Sequence, residues 1–275
     1  MILNEIINII ESVAPLTRQE EWDNSGLQVG NGNAQISRVL LTTDVTLEVV
    51  KEAQSKHCQL VLSHHPLLYH ALKSITGKTE QEKCVTEAIR NDIAIYSSHT
   101  AMDNYLYGVS GRMARETGLQ SFDILVPQPS QPDYDIRTGQ FFTTGTHKTQ
   151  YGLGVIGTLN EPVSFDDLLS RVKHAFGADI LRYIPPKSTH VQTIALCGGA
   201  GSEFLDAAIE QHADVFISAD FKYHSFQPAV GRIGVIDMDH WTSEHFTRNV
   251  FAELLDGKVE TVISDTDHSP VNYYK

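Results

Sequence analysis

Short apolar runs recur along this chain, separated by segments with helical periodicity, and each run stops at a polar, turn-forming stretch. Arg38–Asp44, Gln59–Ser63 and Ile93–Ser97 are three such runs, with Thr46–Lys56 and Thr79–Arg90 lying between them. Strands alternating with helices at these intervals imply a parallel sheet covered on both faces, since a parallel connection needs a crossover long enough to hold a helix. The run Leu60-Val61-Leu62 reads as a buried strand. Pro66 ends its reach, because proline cannot donate to the ladder. Between the two stand His64 and His65, adjacent imidazoles where a strand hands over to a loop.

The same alternation continues through the rest of the chain. Ile2, Leu3, Ile6, Ile7, Ile9, Ile10 and Val13 recur at helical spacing, and Pro15 closes that helix. Gly108–Thr117 predicts a helix closed by Gly118. The spacing then predicts strands at Tyr151–Leu159, Ile180–Ile184, Val191–Leu196, Val215–Ser218, Ile233–Ile236 and Val259–Ser264. Helices are expected from a Ser164 cap to Phe176, over Glu203–Gln211 and over Trp241–Leu255, with Asp44 placed to cap the one at Thr46–Lys56. One composition break stands out, Pro127–Asp135, with three prolines. It divides the chain into an N-terminal lobe (1–127), a linker or excursion (128–150) and a C-terminal lobe (151–275), alike in element order.

The 275 residues suffice for a large core or two ordinary ones. With 21 Lys and Arg against 34 Asp and Glu, the net charge of −13 argues against non-specific nucleic-acid binding. Cys58, Cys84 and Cys197 are far apart, with no CxxC spacing, and fit a reducing compartment. Met1–Glu5 holds no basic leader, and no apolar run reaches membrane-spanning length, so a cytoplasmic protein without membrane contact is expected.

Four strand ends carry ligand-type residues: His64-His65; His99 with Asp103; Asp220 with Tyr223-His224; and Asp239-His240. Ligands of open parallel sheets gather outside the carboxyl ends of strands. Taken alone, a His-His pair is usually just part of a turn, and an Asp after a strand a cap. His240 and Glu244 are four apart, which puts them on one helix face, one turn apart. Together His64, His65, Asp103, His240 and Glu244 supply three imidazoles and two carboxylates, one able to bridge. That set suits two divalent ions with open positions for water. The donors fit zinc, iron, manganese, nickel or cobalt alike. Gly198, Gly199 and Gly201 either cradle an anion at a helix start or allow close backbone approach. His99 and His224 are candidates for proton transfer or for orienting ligands. His245 reads as structural, and Lys222 as an exposed lysine.

In order, His64-His65-Pro66, His99-Thr100 with Asp103, Cys197-Gly198-Gly199-Ala200-Gly201, Tyr223-His224 and His240 with Ser243-Glu244 resemble the NGG-interacting factor three-like proteins. These are also called dinuclear metal centre proteins or GTP cyclohydrolase 1 type 2 homologues. The resemblance runs nearly end to end and includes Trp22-Asp23-Asn24-Ser25-Gly26-Leu27. It implies an α/β fold of two related lobes, with mostly parallel sheets flanked by helices, assembled as a toroidal homohexamer. It also implies that His65 and Asp103 hold one ion, His64 and His240 the other, and Glu244 bridges. This chain departs from the pattern at Ala101-Met102, Ser218-Ala219 and Asp239, none of them a ligand.

The expected activity is metal-assisted hydrolysis of a small molecule, with nucleotides, phosphoesters and amides as candidate substrates and Glu244, His99 and His224 as candidate catalytic groups. The rival expectation is a non-catalytic, ring-forming metal-binding protein that serves interaction or regulation.

Overall fold

The computed structural model describes residues 1–128, 133–135, 140–142 and 150–274. Most of the proline-rich break and of the 128–150 excursion lies outside these residues. The first sheet is built from β1 (Gly26–Val29), β2 (Arg38–Thr42), β3 (Leu60–Ser63) and β4 (Ala94–Ser97). The second draws on β5 (Ser121–Pro127), while β6 (Asp133–Asp135) and β7 (Gln140–Phe142) pair only with each other. Then come β8 (Gly152–Ser164), β9 (Arg182–Ile184), β10 (His190–Ala200), β11 (Val215–Ala219), β12 (Gly234–Met238) and β13 (Glu260–Ile263).

In space the first sheet runs β1-β4-β3-β2-β13 and the second β5-β8-β10-β11-β12-β9. The first is parallel except at its β1–β4 edge. The second is parallel only across β10–β11–β12 and antiparallel elsewhere. The fold is thus mixed α/β, two sheets flanked by helices. The last strand, β13, lies beside β2 in the first sheet.

Every residue of β3 and β4 is buried, as their unbroken apolar character requires. Alternate residues face opposite sides. Val39, Leu41, Leu60, Leu62 and Tyr96 pack with α1 (Leu3–Glu11) and, from the far end of the chain, Val250, Phe251 and Leu255. Leu40, Val61 and Ile95 pack against α2 (Leu47–Ser55) and α3 (Glu80–Arg90). The second sheet repeats the arrangement. Ile194, Leu196, Val215 and Ile217 meet residues of the helices over Val109–Thr117 and Phe165–Ala175, whereas Ala195, Cys197, Phe216 and Val235 meet Leu205 and Ala208.

The local signals explain most element ends. Thr79 and Ser164 accept from the backbone amides of Glu82 and Asp167, and Gly118 closes its helix at φ 98°. Two of the boundaries that differ from expectation bear on the site. The cap of α2 is Thr46, whose hydroxyl accepts from Val49, and Asp44 is left to another partner. The helix expected over Trp241–Leu255 is two pieces, His240–Glu244 and Thr247–Leu255. There the Ser243 and Thr247 hydroxyls donate to the carbonyls of His240 and Glu244, competing with the helical ladder. Counting the remaining helices in order, α4 is Thr100–Asp103, α5 Val109–Thr117, α6 Phe165–Ala175, α7 Leu205–Glu210, α8 His240–Glu244 and α9 Thr247–Leu255.

Candidate metal centre

The carboxyl ends of β3 and β4 and the turn after β12 open onto one pocket of about 380 Å³. His64 and His65 leave β3, His99 precedes α4 and Asp103 ends it, and His240 and Glu244 lie on α8. His65 Nε2 and His240 Nε2 each stand 3.0 Å from Glu244 Oε2. His64 Nε2 is 3.7 Å from both Asp103 Oδ1 and Glu244 Oε1. His64 is fully buried and Glu244 nearly so. All five expected ligands are therefore brought together.

Three overlapping sets have ligand atoms within 4.8 Å of one another: His64, Asp103 and Glu244; His65, His240 and Glu244; and His64, His65 and His99. His64, His65 and Glu244 each belong to two of them. Two ligands of one ion, each at about 2.1 Å, stand at most about 4.2 Å apart. These sets are at ligating distance or a few tenths of an ångström from it.

Each imidazole is held from behind. His65 Nδ1 meets Asp44 Oδ1 at 2.9 Å, His240 Nδ1 meets Asp220 Oδ2 at 2.7 Å, and His99 Nδ1 meets Asp23 Oδ1 at 2.8 Å. His64 Nδ1 lies 3.1 Å from the Ser98 carbonyl. Carboxylates and carbonyls only accept, so in every case Nδ1 carries a hydrogen, and Nε2 is the nitrogen whose lone pair the neutral imidazole would offer. That is the tautomer a metal ion takes up. Asp220 adopts φ 57°, a left-handed conformation that Asp tolerates better than most residues.

Three enclosed atoms, His64 Nε2, Asp103 Oδ1 and Glu244 Oε2, have no hydrogen-bond partner; the 3.0 Å approaches to Glu244 lack hydrogen-bond geometry. Orphaned buried groups of this kind are rare. The electrostatics agree. Burial alone would push Glu244 up, yet the imidazoles of His65 and His64 hold it well below the usual carboxylate range. Burial would push His64 and His65 down, but the surrounding carboxylates raise both. His240, opposed in the same way, is raised to about 9 by Glu244 and Asp220. The pocket demands positive charge, and the residues fit a cation.

The other expected residues fare differently. His99 lines the pocket. His224 is exposed, its ring against Tyr223, and lies outside the pocket lining, as does the exposed Lys222. His245 stacks on Trp241 and bonds the Thr242 carbonyl, as its structural reading expects. Gly198 and Gly199 are part of β10, where its register with β11 breaks. Their amides already donate to the hydroxyls of Ser110 and Ser243, which leaves neither for an anion. A Cβ on Gly199 would stand 2.2 Å from Glu244 Oε1, and one on Gly201 2.6 Å from Ser218 Oγ. These glycines permit close approach. Asp44 is expected as a cap, Asp220 as a ligand-type residue at a strand end and Asp23 as part of a motif; the sequence pairs none of them with an imidazole.

Fold and pocket together define an α/β protein with a histidine–carboxylate cluster able to take metal, set between two sheets. Residues 1–270 match the family Duf34/NIF3 (NGG1p interacting factor 3), and the chain belongs to that family. A GTP cyclohydrolase 1 type 2 homolog of Clostridium perfringens is 30% identical, covering 99% of this chain and 100% of its own length. NIF3-like protein 1 of Drosophila melanogaster is 27% identical over 98% of this chain and 88% of its own. Among solved structures, a Bacillus cereus protein related to NIF3 shares the fold at TM-score 0.86 and 23% identity, covering 100% and 99% of the two chains. Reduced HcgD from Methanocaldococcus jannaschii superposes at TM-score 0.75 with 27% identity, covering 96% and 98%.

Proposed function

We propose that this chain is a dinuclear-metal-dependent, hydrolase-like protein. His64, His65, Asp103, His240 and Glu244 would hold two divalent ions, with Glu244 within reach of both. The observation that carries this reading is the trio of enclosed, unpartnered atoms on His64, Asp103 and Glu244. Zinc, iron, manganese, nickel and cobalt all suit the donors. Bound there, such ions polarise an electrophile and bring the ionisation of water near neutral pH.

The chain's own residues supply the rest. Asp44, Asp220 and the Ser98 carbonyl fix the three ligand imidazoles by Nδ1. His99, held by Asp23, presents Nε2 to the pocket, takes a proton from the attacking water and returns it to the leaving group. Asp23 is itself pinned by the Ser25 hydroxyl at 2.9 Å and by the Thr100 amide and hydroxyl at 3.0 and 2.6 Å. Although burial opposes it, these donors and His99 keep Asp23 ionised, far below the ordinary range. The name of the GTP cyclohydrolase 1 type 2 homologs makes nucleotide ring opening one member of the reaction class; phosphoester and amide hydrolysis are others. Cytoplasmic residence, supported by three buried free cysteines, and assembly into a ring hexamer belong to the same proposal.

Metal analysis of protein purified without a chelating tag should find two equivalents per chain. The metal-loaded protein should turn over a member of a broad substrate panel, with Glu244→Ala silent and Asp23→Asn impaired but still metal-loaded. One equivalent of metal, or no turnover together with loss of the oligomer in Glu244→Ala, refutes it.

A further inference from the structure

We infer that the pocket takes a flat, uncharged ring, an aromatic amide or nitrogen heterocycle without a phosphate tail, seated in the corner formed by Trp22 and Tyr69; this rests on the metal-centre reading above. Trp22 is 59% exposed and Tyr69 44%, although both line the pocket mouth. Large aromatic faces left to solvent beside a site are surfaces for something else to cover. Their ring centroids are 6.1 Å apart at 65°, so they form two walls of a corner. Trp22 also meets His99 edge-on, at 6.0 Å and 70°. A ring stacked on the indole would thus lie beside the imidazole expected to move the proton. Phe204 and Leu153 add apolar lining, and the volume suits one or two fused rings.

Charge weighs against a phosphate tail. No lysine or arginine is among the described lining residues, whereas Glu20, Asp103, Glu203 and Glu244 are. Two divalent ions cancel those four carboxylates, and Asp23, Asp44 and Asp220 behind the imidazoles keep the surroundings negative. Phosphate groups are held by arginine, lysine or free backbone amides at helix starts. In the glycine-rich stretch, the amides of Gly198 and Gly199 are spent on Ser110 and Ser243. Among the described lining residues, a triphosphate meets carboxylates and no cationic side chain.

The test is a binding titration followed by tryptophan fluorescence, the Trp22 signal being the difference between wild type and Trp22→Phe. Benzamide, hypoxanthine and inosine are compared with cyclohexanecarboxamide and inosine triphosphate, in metal-loaded and chelator-stripped protein. The flat uncharged compounds should quench Trp22. Binding should weaken at least tenfold when the triphosphate is added and at least tenfold when the ring is made non-planar. Equilibrium dialysis should show the flat ligands lost from Trp22→Ala at unchanged metal content. Triphosphate binding as tight as the nucleoside, or flat-ligand binding that survives Trp22→Ala, overturns the inference. Its failure is distinct from failure of the metal reading: a protein with two metals that prefers the triphosphate refutes only this inference. One that binds flat rings on Trp22 but never takes two metals refutes only the other.

Discussion

Replacing Gly199 by alanine isolates how closely the backbone of β10 is built against the bridging carboxylate. Gly199 sits at φ +62°, and an added Cβ would fall 2.2 Å from Glu244 Oε1 and 3.3 Å from His240 Cε1. Gly177 has the same φ, +62°, but nothing within 4 Å of its Cβ position. Both substitutions carry the left-handed strain of a non-glycine residue, about 1 kcal/mol. For a chain of this length that is roughly 2 °C in Tm. Only Gly199→Ala must also drive Glu244 back by about 1 Å to restore ordinary contact distance. Ligand distances tolerate about 0.2 Å. Glu244 belongs to two of the ligand sets, so metal affinity should fall at least tenfold to a hundredfold at both sites. Metal content after dialysis against a competing chelator, read beside thermal melts of both variants, decides the matter. Gly177→Ala should lose about 2 °C and keep its metal; Gly199→Ala should lose the metal. If Gly199→Ala retains wild-type metal content and melts with Gly177→Ala, the claim that Gly199 exists to admit Glu244 is wrong.

Two further predictions follow from the carboxylates. Asp44→Asn and Asp220→Asn should each weaken metal binding by about ten- to a hundredfold while the metal-free melts stay within about 0.5 kcal/mol of wild type; unchanged affinity in a chelator competition would remove these residues from the site's support. Buried Glu52 accepts from the amides of Asp265 and Thr266 and from Lys56, which outweigh burial and depress its pKa from 4.5 to about 2. Glu52→Gln should therefore cost about 2 kcal/mol at neutral pH. A depressed carboxylate stabilises above its unfolded pKa, so the gap between the two proteins should be complete above about pH 5 and close as the pH falls through 4.5 towards 2. Denaturant melts across that range that keep a constant gap would refute the assignment.

Much of the fold and of the site can be read along the chain. Unbroken apolar runs mark β3 and β4 as strands buried on both faces, and Thr79, Ser164 and Gly118 end their helices through groups within a few residues. Such signals are local, and the residues that make them are neighbours in sequence. His64, His65, Asp103, His240 and Glu244 were legible because each stands at a strand end or on one helix face.

What waited for the tertiary structure is everything that depends on which distant segments meet. Asp44 offers itself as a helix cap until His65, 21 residues on, claims it, and Asp23 finds His99 across 76. The commitment of the Gly198 and Gly199 amides to Ser110 and Ser243 and the placing of β13 in the first sheet are of the same kind. Periodicity and capping decide what each segment becomes, because their energies come from residues in the same turn or strand. Pairing across the cleft is decided by packing between two sheets, and no short stretch of the chain carries that information.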